Sequence, residues 1–172
     1  ISYGFNLQSR SDRVLSGSLH LKGDIEYDLI SGDAGHYMVY AKEAKGVTVD
    51  AGTFTTHGLN HNIITVNAGQ LVVNGGRFVN EVTGSNYVQL IRLARDSGSV
   101  QETTATINGG TLINLNSYYN NSSPDYSSYV IANVSGKIVI NGGRFQFASP
   151  ANFCRYNNIR GGTYWYNGNL RI

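Results

Sequence analysis

The sequence predicts an all-β chain wound as a right-handed parallel β-helix, a single-stranded solenoid of about five to six coils. Three observations lead there. An eight-residue phrase recurs along the chain, each column of that phrase keeps one chemistry, and the composition favours strands and turns over helices.

The phrase reads V-T-V-D-A-G-T-F at 47–54, L-V-V-N-G-G-R-F at 71–78, A-T-I-N-G-G-T-L at 105–112, I-V-I-N-G-G-R-F at 138–145 and N-N-I-R-G-G-T-Y at 157–164. With the second glycine as anchor (Gly52, Gly76, Gly110, Gly143, Gly162), the intervals are 24, 34, 33 and 19 residues. Three places before the anchor stand Val49, Val73, Ile107, Ile140 and Ile159. Two before it stand Asp50, Asn74, Asn108, Asn141 and Arg160, and two after it Phe54, Phe78, Leu112, Phe145 and Tyr164.

Each column implies an element. Apolar and polar positions alternate before the anchor, as a strand with one buried face requires. Glycine then reaches backbone angles closed to β-branched residues, so the chain turns there, and a new strand starts with an aromatic pointing inward. A looser strand precedes most copies, at Tyr37–Ala41, Asn62–Val66, Tyr87–Ile91 and Tyr129–Asn133. One unit is therefore strand, turn, strand, Gly-Gly turn, strand, variable loop. Such a coil cannot bury its own inner face, so copies must stack. Stacking at roughly 4.8 Å per coil sets Val and Ile in inner ladders and the Phe column in an aromatic row, in a rod on the order of 25–30 Å long. It also lets the Asn of one coil bond to that of the next. An antiparallel sandwich with Asn-Gly hairpins is the alternative, but hairpins require no phasing across such long intervals.

The repeats occupy 37–166. Residues 1–36 read as an N-terminal cap or first coil, with Ile1 to Arg13 polar and irregular, and 167–172 as a C-terminal tail or cap. The start at Ile1, with neither methionine nor signal peptide, reads as a fragment or a processed piece.

A chain of 172 residues suits one domain. Its 21 Gly supply turns, and Val, Ile, Thr and Tyr favour strands. A formal charge of +2 with scattered Lys and Arg argues against nucleic acid. No apolar run approaches the roughly 20 residues of a membrane helix, so membrane insertion is not expected. The one cysteine, Cys154, excludes an intrachain disulfide and, following Phe153, reads as core.

Chemistry is expected where the repeat breaks. After the third copy the variable loop swells to N-L-N-S-Y-Y-N-N-S-S-P-D-Y-S-S, residues 114–128. Long loops on rigid scaffolds carry function. Here Tyr118, Tyr119 and Tyr126 offer flat faces to sugar rings, while Asn120, Asn121 and Asp125 offer hydrogen bonds to hydroxyls. The second candidate is Asp24, Glu26 and Asp28, which alternate with Ile25, Tyr27 and Leu29 and so share one face of a strand. Neighbours two apart lie near 7 Å, within the range of paired glycosidase carboxyls; three carboxylates also suit Ca²⁺. A solvated outer face is the simpler reading of that run. His20, His36, His57 and His61 are dispersed and have no metal-site spacing. No metal or cofactor is expected.

The stacked phrase, with its apolar columns and N-G-G turns, resembles right-handed parallel β-helix proteins, and among them segments of bacteriophage tailspikes and tail fibres. The resemblance covers roughly 37–166. It implies a homotrimer in the virion tail that binds, and often cleaves, bacterial surface polysaccharide. Two other readings go with the same architecture: a polysaccharide hydrolase or lyase using Asp24, Glu26 or Asp28, and a passenger segment of an adhesin on the bacterial surface. No catalytic motif of a β-helix enzyme maps onto this chain.

Overall fold

The computed structural model describes residues 2–8, 16–30, 36–96, 99, 101–156 and 163–166. The chain forms a parallel β-helix with three strands per coil. The first coil holds β1 (Ser2–Gln8), β2 (Ser16–Leu21) and β3 (Glu26–Leu29), and the second β4 (His36–Lys42), β5 (Ala44–Val49) and β6 (Thr53–Thr56). The third holds β7 (His61–Asn67), β8 (Gly69–Val73) and β9 (Arg77–Asn80), and the fourth β10 (Val88–Ala94), β11 (Thr103–Ile107) and β12 (Thr111–Asn114). The fifth holds β13 (Tyr129–Asn133), β14 (Lys137–Ile140) and β15 (Arg144–Phe147), and β16 (Cys154–Tyr156) and β17 (Thr163–Tyr166) follow.

Equivalent strands stack into three sheets, ordered β1-β4-β7-β10-β13-β16, β2-β5-β8-β11-β14-β17 and β3-β6-β9-β12-β15. Neighbours pair in parallel and in the register of the columns: Val49 faces Val73, Val73 faces Ile107, and Ile107 faces Ile140. All four are fully buried. Residues 1–13, which read as irregular, include strand β1, paired with β4 over Ser2 to Gln8. Its Gly4 is favoured because a Cβ there would lie 2.7 Å from the Met38 carbonyl as well as against the Tyr27 hydroxyl. The Phe column stacks between Phe54 and Phe78, whose ring centroids are 5.1 Å apart and 18° from parallel. Leu112 interrupts it, and Phe145 packs edge-on against Phe153.

The first sheet bends within each coil. In β4 both Met38 and Val39 are buried, so Tyr37 and Tyr40 both point outward, and their rings meet at 5.3 Å. Gln89 and Arg92 take the corresponding outward places in β10.

The two glycines of each phrase serve different needs. Gly75 has an ordinary backbone, but a Cβ on it would stand 2.3 Å from the Asp50 carbonyl of the coil below. Gly76 turns the chain at φ +91°, a region that favours glycine. The pairs at 109–110 and 142–143 repeat this division.

An amide ladder runs up the corner beside these turns. Asn74 Nδ2 donates to Asp50 Oδ1, Asn108 Nδ2 to Asn74 Oδ1, and Asn141 Nδ2 to Asn108 Oδ1, each at 2.8 Å. The ladder has a direction, with every donor pointing toward the first coil. Its last acceptor needs no donor of its own, and there the sequence has a carboxylate. Asp50 Oδ2 also takes the His20 ring nitrogen at 2.5 Å.

These partners hold the Asp50 carboxyl below the ordinary aspartate range, the Asn74 amide most and His20 next. A lowered folded value stabilises the rod above the unfolded pKa of about 3.9, and that contribution is lost as pH falls through the folded value. Comparing melting temperatures of wild type and Asp50→Asn between about pH 5 and pH 2 should show a shallower acid decline in the variant. Coincident pH profiles would show that the ladder carboxylate contributes nothing.

Candidate functional site

The long loop is an ordered lobe. Asn114 ends β12, and from there three asparagines fold the chain by local side-chain bonds. Asn114 Oδ1 accepts from the Asn116 amide at 3.2 Å, Asn116 Oδ1 from Tyr118 at 2.8 Å, and Asn120 Oδ1 from both Ser122 and Ser123 at 3.0 Å. A 3₁₀ turn follows at Pro124–Tyr126. The amide of Ser128 returns to the Tyr118 carbonyl at 2.9 Å and closes the loop.

The lobe lies across the outward residues of β10. Gln89 Nε2 donates to the carbonyls of Asp125 (2.8 Å) and Ser127 (3.1 Å), and Arg92 Nη1 reaches Asp125 O at 3.4 Å. The Tyr129 hydroxyl donates to Pro124 O at 3.1 Å. Flanking coils grip its sides: Asn116 Nδ2 donates to Asn86 O, and Asn152 Nδ2 to Ser128 O, each at 2.9 Å. A site on a loop gains precision when such partners lock it.

This scaffold sorts the six residues expected to bind. Tyr119 and Tyr126 are 43% and 55% exposed, and Asn121 is exposed as well. Tyr118, Asn120 and Asp125 are half-buried; their backbone groups, and the Asn120 side chain, hold the lobe's shape. Tyr87, absent from the expected set, meets Tyr126 edge-on at 5.7 Å, and burial pushes its phenol pKa upward. Asn86, Gln89 and Arg92 were equally unmarked in the sequence. Only the register of β10 beneath the lobe brings them to it.

The three carboxylates are exposed and alternate with Ile25, Tyr27 and Leu29, which pack toward the core. Strand β3 starts at Glu26, so Asp24 sits in the bend before it. Asp24 and Glu26 line an open cleft of about 400 Å³ with Ile25, Gly52 and Thr53. Asp28 instead stands 3.6 Å from the His57 ring, both exposed. This group is on the first coil and the lobe on the fourth, roughly 14 Å apart along the axis at 4.8 Å per coil. His61 does not join His57: it is buried, and its Nδ1 shares a 2.6 Å bond with the Thr56 hydroxyl. Among the described residues, no three His, Cys, Asp or Glu side chains gather to hold a metal ion. Cys154 packs half-buried against the core, where desolvation pushes its thiol up to about 12. Among the described residues, no helix is long and apolar enough to cross a membrane.

Fold and lobe together define a parallel β-helix repeat protein with an elaborated corner at 115–128. Compared with protein-family models, curated proteins and solved structures, the chain gives no significant match.

Proposed function

We propose that this chain is a carbohydrate-recognition module that binds a bacterial surface polysaccharide through the lobe at 115–128. The observation that carries the reading is the pair of exposed rings, Tyr119 and Tyr126, on a lobe locked to three coils. A lobe fixed before binding loses little conformational freedom on contact, which favours affinity. Asn121, exposed on the same lobe, supplies a hydrogen-bonding amide. The resemblance of the repeats to tailspike and tail-fibre coils extends the proposal to a homotrimeric segment of a phage virion tail, used for attachment to the host.

The test is retention of the chain on a panel of bacterial surface polysaccharides, scored for binding and for cleavage. Tyr119→Ala with Tyr126→Ala should weaken retention by about tenfold to a hundredfold, as loss of aromatic anchors does. Unchanged retention removes the lobe from recognition. Sedimentation that shows a monomer at high concentration removes the trimer.

The cleft at Asp24 and Glu26 favours a second reading, a polysaccharide-degrading enzyme. It requires cleavage that disappears in Asp24→Asn with Glu26→Gln.

A further inference from the structure

Coil stacking forces a chemically labile dipeptide into this chain three times. Gly75, Gly109 and Gly142 are required because an added Cβ would fall 2.3, 2.6 and 2.8 Å from the carbonyls of Asp50, Asn74 and Asn108. Asn74, Asn108 and Asn141 are required for the amide ladder. The result is Asn-Gly, the sequence in which the least hindered backbone nitrogen follows an asparagine. In a mobile chain that nitrogen attacks the side-chain amide. The Gly nitrogen bonds to Asn Cγ, the Cγ–Nδ2 bond breaks, and ammonia leaves carrying the glycine N–H proton. Water then opens the cyclic imide at either carbonyl, giving aspartate or isoaspartate.

We infer that Asn74, Asn108 and Asn141 are conditional deamidation sites, silent while the rod is closed and modified when its coils open. In the rod both reacting groups are engaged by neighbouring coils. The side chains of Asn74 and Asn108 are pinned along the axis, each donating from Nδ2 and accepting at Oδ1. The attacking nitrogens point their hydrogens at the coil below, with Gly75 on Val49 O at 3.4 Å, Gly109 on Val73 O at 3.3 Å and Gly142 on Ile107 O at 3.3 Å. These bonds are long, but a carbonyl of the coil below also packs closely against each glycine. All three asparagines are nevertheless exposed, so water is at hand once a coil loosens.

Modification then blocks closure. Aspartate at 74 would place a carboxylate against that of Asp50, where a donor had stood at 2.8 Å. Isoaspartate lengthens the main chain by one carbon inside a turn already at contact distance. Opening is thereby recorded as a covalent change.

The experiment follows the three sites by peptide mass spectrometry during warm, mildly alkaline incubation of the chain, folded in buffer and unfolded in urea. Each site should react at least about tenfold faster in the unfolded chain, as expected of chemistry confined to open states. Equal rates in the two conditions overturn the inference, and so does the absence of reaction in both. Asn74→Asp should melt below wild type, and further below it than Asn108→Asp. If Asn74→Asp melts like wild type, modification does not block closure, and that half of the inference falls.

Discussion

Phe78→Ala should lower the stability of the rod by about 3–5 kcal/mol, at the upper end for core truncations. Phe78 is fully buried and lies face to face with Phe54 at 5.1 Å. Its strand, β9, is bonded to β6 below and β12 above. Those ladders fix the spacing of the coils, so the walls cannot relax inward and the cavity stays open. Repeat proteins also transmit a weak coil to its neighbours, because each contacts only the next. Denaturant unfolding checks this, and a loss under about 1 kcal/mol would mean that the stack can collapse around the missing ring.

Asn114→Ala should cost about 2–4 kcal/mol and disorder the lobe, because it strips partners from several buried groups at once. Asn114 is fully buried. Its Nδ2 donates to Val88 O at 2.8 Å and Tyr129 O at 2.9 Å, while its Oδ1 accepts from Asn80 Nδ2 at 2.9 Å and from the Asn116 amide. One side chain thus ties the third, fourth and fifth coils and starts the first turn of the lobe. Hydrogen exchange at the Asn116 and Tyr118 amides separates the two effects. Exchange unchanged in the variant would show that the lobe holds its shape without Asn114. Retention of polysaccharide should fall with lobe order, although Asn114 itself is out of reach of any ligand.

The coil architecture was legible because stacking imposes one chemistry per column. Val49, Val73, Ile107 and Ile140 had to be apolar, and Gly75 and Gly76 had to be glycine, whatever the loops between them did. Strand β1 was less legible: Tyr3, Phe5 and Leu7 alternate properly, but Gly4, which makes room for Tyr27, weakens the pattern. The bend that turns Tyr37 and Tyr40 to the same side leaves two apolar residues in succession, and no period-two reading anticipates it. The candidate site was legible only as a length. That residues 114–128 break the repeat could be seen from spacing. That they fold over Gln89 and Arg92 depends on side chains 33 or more residues from the groups they hold, brought close by register alone. The carboxylate run was legible as an outer face, because Asp24, Glu26 and Asp28 are all exposed while Ile25, Tyr27 and Leu29 pack toward the core; only the start of β3 at Glu26 was not marked by the alternation.

The one-way amide ladder sets a rule for how such a rod can change in length. An inner rung both donates and accepts one hydrogen bond, so a further coil bearing asparagine fits between two others without disturbing either. A carboxylate fits only at the foot, where nothing need be given downward, and Asp50 stands there against His20. Coils are therefore interchangeable within the stack but cannot be inverted, and growth proceeds in whole turns. The differing intervals between anchors, 24, 34 and 33 residues over the described turns, are absorbed outside the core, at the corners. Those corners are free to diverge in sequence and to take on new surfaces while the rungs beside them keep count.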